Sequence, residues 1–155
     1  AIAGLGLAAK LIYGGHSEKT EKLYELKKML IDGLYKIGDD NKCADGSCGV
    51  VINGIDGIDI KETAPPVVSA SFYGIKSEVL LHALAAKGVY VSSGSACSSN
   101  HPELSGTLKA IGVSDELLDS TIRFSFSVET TKEQVEYALE VLKKQLPILK
   151  RFIKQ

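Results

Sequence analysis

The sequence lacks tryptophan, has a single methionine, and contains no apolar run long enough to cross a bilayer. A membrane-spanning helix needs about 20 consecutive apolar residues, and the apolar opening at residues 1–12 is too short and too rich in glycine. Neither sign of charge is in excess, because 18 basic and 19 acidic residues give a net charge of −1. The basic residues are also scattered along the chain. We therefore expect neither a nucleic acid nor a membrane as a partner.

Cysteine is scarce, and its odd count of three argues against the disulfide framework of a small secreted protein. The sequence shows no signal peptide, so the expected location is the reducing cytoplasm. Cys43 and Cys48 are separated by four residues in a polar segment and could form a disulfide or bind a metal. No second pair completes a zinc site. We therefore expect no metal centre and treat both as bystander cysteines.

The composition is typical of a globular domain, with 45% hydrophobic and 24% charged residues in 155. Periodicity predicts strands at 49–53, 67–73, 89–92 and 121–127, with a weaker candidate at 57–61. Helices are predicted at 1–11, from an N-cap at Ser17 to a stop at Gly38, at 77–87, at 105–111, and after a capping box of Thr130 and Glu133. This order predicts an α/β fold of two layers (α+β), a small sheet with helices packed on one face. A free-standing ferredoxin-like domain is the alternative.

The third cysteine, Cys97, lies where an apolar run at 89–91 gives way to small, polar residues. Free cysteine behaves as a small hydrophobe and is usually buried. We expect a thiol among serines and glycine to be exposed instead, which would suit a nucleophile that must reach a partner. A surface cysteine without function would look the same from local chemistry alone.

Several segments resemble one enzyme family. Residues 92–99 (SSGSACSS) are similar to the active-site loop of the NifS/IscS-like, group I cysteine desulfurases, which use pyridoxal phosphate. The likeness continues in matching order at residues 108–112 (LKAIG), 120–125 (STIRFS) and 130–133 (TTKE). Upstream, residues 68–72 (VSASF) and 2–6 (IAGLG) also fit. The resemblance extends along nearly the whole chain and is strongest from about Val67 onward.

The resemblance implies roles for two residues. Cys97 would be the catalytic sulfur acceptor, whose thiolate takes sulfur from L-cysteine as a persulfide and leaves L-alanine. Arg123 would bind the substrate, because a planar guanidinium holds a carboxylate through two parallel hydrogen bonds. A surface ion pair is the alternative for Arg123. The serine and glycine content around Cys97 suits a loop that must swing between cofactor and acceptor.

The family's cofactor lysine is absent from this sequence. In the family the lysine follows histidine in an S-x-H-K run, but the three histidines here precede Ser17, Ala83 and Pro102. The D-x-x-Q pattern that holds the pyridine ring is absent as well. We therefore expect no cofactor-binding residue in this chain and place the pyridoxal phosphate lysine upstream of Ala1.

These observations predict the C-terminal part of a larger enzyme, inactive on its own. Residues 1–37 would connect to the missing large domain, and residues 38–155 would form the small domain, with the cysteine loop at about 93–104. The expected partners are L-cysteine, a sulfur-acceptor or iron–sulfur scaffold protein, and a second subunit in a homodimer. Iron–sulfur cluster assembly or tRNA thiolation would use the sulfur. The alternatives are a selenocysteine lyase, another class V aminotransferase, and a non-catalytic thiol or persulfide carrier.

Overall fold

The computed structural model describes residues 2–43, 46, 48–93 and 105–153. Its helices are α1 (Ile2–Tyr13), α2 (His16–Asp40), α3 (Ser77–Ala85), α4 (Gly106–Ala110), α5 (Asp115–Leu118) and α6 (Lys132–Ile153). Its strands are β1 (Val50–Ile52), β2 (Val67–Phe72), β3 (Ser92–Ser93) and β4 (Thr121–Ser125), and a short 3₁₀ helix spans Ile60–Glu62. None of the helices within the described ranges has the length and hydropathy to cross a membrane.

The four strands form one antiparallel sheet in the order β1-β2-β4-β3. The central pair, β2 and β4, is in register from Val67 opposite Ser125 to Ser71 opposite Thr121. Because side chains alternate across a strand, this register places Val68 and Phe124 on the same face. The sheet therefore has one apolar face and one polar face.

The long helices α2 and α6 pack with α3 against the apolar face. Leucines of α2 recur at spacings of three and four, which aligns them along one side of the helix. The two long helices approach closely where Gly33 of α2 meets the side chain of Leu139, because a Cβ at Gly33 would overlap it. One hydrophobic core results, with fully or almost fully buried Leu26, Leu30, Leu34, Phe72, Leu80, Leu84, Ile122, Leu142 and Leu146. The predicted sheet with helices on one face is confirmed.

The predicted bounds of α2 are wrong at both ends. The helix begins at His16 after Gly15, whose φ of 68° is left-handed, so Ser17 is not its N-cap. It also runs through Gly38 to Asp40 instead of stopping there. Gly38 is buried so closely that a Cβ would clash with the Cys48 sulfur and crowd Val50. This glycine permits close packing and does not end the helix.

Helix α1 differs from the rest of the chain, since none of its residues is buried. Its apolar side chains, Leu5, Leu11 and Tyr13 among them, are mostly exposed. Helix α2 continues across residue 37, the predicted division of the chain, and its Ile37 belongs to the core. The division itself stays a prediction.

Two strand predictions are also wrong. Only Ser92 and Ser93 pair with β4, whereas the backbone N–H of Val89 donates to Leu84 at the end of α3. Residues 57–61 form no strand, because the Asp59 carboxylate accepts the N–H of Lys61 and starts the 3₁₀ turn. In both cases branched residues suggested a strand where local hydrogen bonds fix a turn instead.

The capping box of the last helix is displaced by one residue from the prediction. The Thr131 hydroxyl accepts the N–H of Gln134, and the Gln134 side chain accepts the N–H of Thr131. The predicted cap residue, Thr130, instead accepts the N–H of Ser127 in the preceding turn. The box therefore consists of Thr131 and Gln134, not Thr130 and Glu133.

Candidate functional site

The candidate site lies on the polar face of the sheet, opposite the core. Strand β4 turns Ile122 and Phe124 inward and leaves Arg123 and Ser125 exposed, as the alternation of the sequence predicts. Ser69 of β2 lies on the same polar face, between two buried neighbours. The sheet thus carries a cation and hydroxyl groups where a ligand can reach them.

Arg123 lies at the centre of a row of three residues across the sheet. Ser69 of β2 is its partner on one side, and Ser92 of β3 is its partner on the other. Side chains directly opposite each other in antiparallel strands have Cβ atoms about 4.5–5.5 Å apart. The Arg123 side chain therefore leaves the sheet between two serines that are each half-buried.

No carboxylate lies within ion-pair distance of Arg123 among the residues that the structure describes. Each of the six ion pairs in those residues is formed by a lysine, and Arg123 takes part in none. The surface ion pair considered as the alternative for this arginine is thus not found in the described ranges. An exposed guanidinium of this kind can bind a carboxylate ligand.

A hydrogen-bonded network lies beside Arg123. Asn53, which follows β1, contacts Ser69 Oγ at 3.2 Å and Ser71 Oγ at 2.9 Å through its Nδ2 atom. Ser71 Oγ lies 2.6 Å from Thr121 Oγ1, which donates to the Leu117 carbonyl at 2.8 Å. Both Ser71 and Thr121 are buried. The network therefore links the polar face of β2 to the end of α5.

Asn53, Ser69 and Ser71 are not among the site residues predicted from the sequence. The signal was present for the two serines, because they alternate with Val68, Ala70 and Phe72 as Arg123 alternates with its neighbours. Asn53 lies outside every strand, and only the register of β1 on β2 brings it to the serines. A single sequence carries no sign of that contact.

The other predicted residues do not join this site. Cys97 and the loop predicted at about 93–104 lie outside the described residues from position 94 onward. Cys43 and Cys48 are half-buried free thiols, so they form no disulfide. Within the described ranges, no three histidine, cysteine or acidic residues come together to hold a metal ion.

A buried lysine lies away from the polar face. Lys27 of α2 is 3% exposed, and its ammonium donates to Thr63 Oγ1 at 2.6 Å and to the Ala64 carbonyl at 2.9 Å. Burial lowers the pKa of this amine below its ordinary value of 10.5. The adjoining cavity is about 140 Å³, which is below the ~300–1,000 Å³ of typical small-molecule pockets. Lys27 holds the 60–66 segment on α2 and has no room for a bound cofactor.

Comparison with known proteins identifies a family for this chain. The family described as aminotransferase class-V matches residues 1–138. The cysteine desulfurase IscS of Proteus mirabilis is 37% identical over 90% of this chain and 30% of its own length. That of Pectobacterium carotovorum is 34% identical over 94% of this chain and 32% of its own. The chain thus spans about a third of the length of these curated relatives.

Solved structures share the fold. A NifS-like protein superposes with a TM-score of 0.72 at 24% identity, covering 96% of this chain and 33% of the other. A NifS-like protein from Rickettsia africae gives a TM-score of 0.67 at 24% identity, over 92% of this chain and 33% of the other. With the family match over most of its length, this chain belongs to the class-V aminotransferases.

Proposed function

We propose that this chain is part of a longer cysteine desulfurase, which converts L-cysteine to L-alanine and leaves the sulfur on Cys97 as a persulfide. The reaction balances without a further oxidant, because the enzyme thiol gains the sulfur atom that the amino acid loses. The sulfur would pass to an acceptor or scaffold protein for iron–sulfur cluster assembly or tRNA thiolation. The complete enzyme would be a cytoplasmic homodimer, as the likeness to IscS desulfurases suggests.

One observation carries the proposal: an exposed arginine without a carboxylate partner in the described residues is paired across the sheet with Ser92. Cys97 follows Ser92 by five residues. A chain of five residues spans at most about 18 Å. The thiol that would accept sulfur can therefore lie no farther than about 18 Å from Ser92, the cross-strand partner of Arg123.

The two residues would divide the chemistry. Arg123 would bind the carboxylate of L-cysteine and fix the direction in which its sulfur points. The Cys97 thiolate would attack that sulfur, so that an S–S bond forms and the substrate's C–S bond breaks. The electron pair of the broken bond stays with the carbon, which takes up a proton and becomes the methyl group of alanine. Only the thiolate attacks well, so the pKa of Cys97, ordinarily about 8.5, must fall or a base must act.

Pyridoxal phosphate is the cofactor we propose for the complete enzyme, but the residues described here do not fit it. Lys27, the one buried lysine in the described ranges, already donates to two protein oxygens beside a small cavity. The sequence also lacks the S-x-H-K lysine. Residues outside this chain would hold the cofactor. Incubation of the chain with pyridoxal phosphate, followed by borohydride, should label no single lysine stoichiometrically.

The test uses the full-length protein produced from its gene, loaded with the cofactor. Cys97→Ser should abolish persulfide formation and leave the cofactor's absorbance intact. Arg123→Ala should raise the KM for L-cysteine by about 10- to 100-fold, as loss of a charged hydrogen-bonding group does. Sulfur release that survives the Cys97 change, or an unchanged KM without Arg123, would contradict the assigned roles.

A further inference from the structure

We propose that Ser69 donates a second hydrogen bond to the substrate carboxylate beside Arg123, and that Asn53 is the positioning residue that directs this proton. The inference rests on the proposed function, since it extends the carboxylate site from one residue to two. It follows from the direction in which the hydrogen bonds of the network must run.

The Leu117 carbonyl fixes that direction, because a carbonyl oxygen only accepts hydrogen bonds. Thr121 Oγ1 lies 2.8 Å from this carbonyl oxygen and donates its single proton to it. The 2.6 Å contact between the Ser71 and Thr121 hydroxyls therefore needs the proton of Ser71. Ser71 Oγ also lies 3.3 Å from Asn53 Oδ1, but the much shorter contact with Thr121 needs its single proton, so Ser71 accepts from Asn53 Nδ2.

The structure turns the NH₂ group of Asn53 toward both serines. Its Oδ1 is farther away, at 3.3 Å from Ser71 Oγ. One amide proton goes to Ser71 Oγ at 2.9 Å and the other to Ser69 Oγ at 3.2 Å. The backbone holds Asn53 in this place, because its N–H donates to the Ser69 carbonyl at 2.9 Å.

Ser69 thus ends the network as an acceptor and keeps its own proton. No hydrogen-bond acceptor for that proton is present in the part of the chain that the structure describes. Ser69 lies directly opposite Arg123 on the exposed side of the sheet. A carboxylate accepts about four hydrogen bonds, and a bidentate guanidinium uses two of them. The Ser69 hydroxyl can supply a third from the side.

The test is acetate binding to the chain, followed by NMR through the backbone amides of β2 and β4 at constant ionic strength, with chloride as the reference anion. Ser69→Ala should weaken acetate binding about tenfold, the loss expected for a hydrogen bond to a charged group. Ser69→Thr keeps a hydroxyl and should restore affinity to within about threefold of the original protein. Ser125→Ala is the matched control, since Ser125 lies on the same face of β4 but outside the network, and it should change nothing.

Asn53→Ala tests the positioning role separately. It leaves the Ser69 hydroxyl present but undirected, so binding should weaken by less than in Ser69→Ala. The far-UV spectrum and thermal unfolding of each variant report whether the sheet is intact.

The outcomes separate this inference from the proposed function. Acetate affinity that depends on both Arg123 and Ser69 supports it. If Arg123→Gln abolishes acetate binding and Ser69→Ala leaves it unchanged, the role of Ser69 is wrong and that of Arg123 is retained. If acetate binds no better than chloride, the whole carboxylate site is wrong. The proposed function is tested independently, by turnover of L-cysteine in the full-length enzyme.

Discussion

The two faces of the β2–β4 pair are formed by the same eleven residues, yet they have different roles. On the inner face, Val68, Phe72 and Ile122 are almost wholly buried and are stabilised by packing alone. On the outer face, a chain of hydroxyls runs from a carbonyl to Ser69, next to a cation without a carboxylate partner in the described ranges. The inner face stabilises the domain, and the outer face keeps binding capacity that folding does not use. The difference predicts that stability and ligand binding can be changed separately.

The largest effect on stability should come from the inner face. Phe72→Ala removes a large side chain that is 1% exposed, and such changes typically cost about 3–5 kcal/mol. Urea unfolding of the variant and the original protein measures the loss. A cost below about 1 kcal/mol would mean that the core does not depend on this ring.

An intermediate effect should come from Thr121, which lies on the outer face but is buried. Thr121→Val keeps the shape and removes the hydroxyl that links Ser71 to the Leu117 carbonyl. Leaving buried polar atoms without partners costs about 1–3 kcal/mol. Unfolding should therefore show a clear loss, and unchanged stability would indicate that the hydrogen-bonded chain does not form.

Lys27 is a buried cation, in contrast to the exposed Arg123, and its burial should make stability depend on pH. Burial lowers the pKa of Lys27, so between its lowered value and 10.5 the unfolded chain binds more protons than the folded one. Stability should therefore rise with pH across that window as the buried amine loses its charge.

The measurement is the free energy of unfolding from neutral pH to about pH 10.5, the ordinary pKa of lysine. The original protein should gain stability relative to Lys27→Met as the pH rises. Lys28→Met, which changes the exposed neighbour on the same helix, should show no such trend. A parallel pH dependence in both variants would contradict the desolvation of Lys27.

The smallest effect on stability should come from Arg123 itself. Arg123→Ala removes an exposed side chain without an ion pair in the described residues, and such changes usually stay within about 0.5 kcal/mol. The same variant should lose acetate binding. A large loss of stability would show that the arginine is a structural residue and would break the separation of the two faces.

The sequence predicts a feature of this fold well when the residues that determine the feature are close together in the chain, and poorly when they are far apart. The alternation of β4 is local, and it correctly predicted that Arg123 and Phe124 lie on different faces of the sheet. Gly38 was misread as a helix stop because its reason lies ten residues away, in the packing of Cys48 against it. Asn53 was missed for the same kind of reason, since the register of a neighbouring strand, not its own segment, brings it to Ser69. The capping box shifted by one because both Thr130 and Thr131 are good cap residues, and the preceding turn uses the first.

The most direct test of the central claim is to locate sulfur after a single turnover. The full-length enzyme, loaded with its cofactor, is mixed with one equivalent of L-cysteine, and its peptides are alkylated and analysed by mass spectrometry. The account predicts one extra sulfur atom on the peptide that contains Cys97, together with an equal amount of L-alanine. Alanine formed with no sulfur on Cys97, or sulfur found on Cys43 or Cys48 instead, would contradict it.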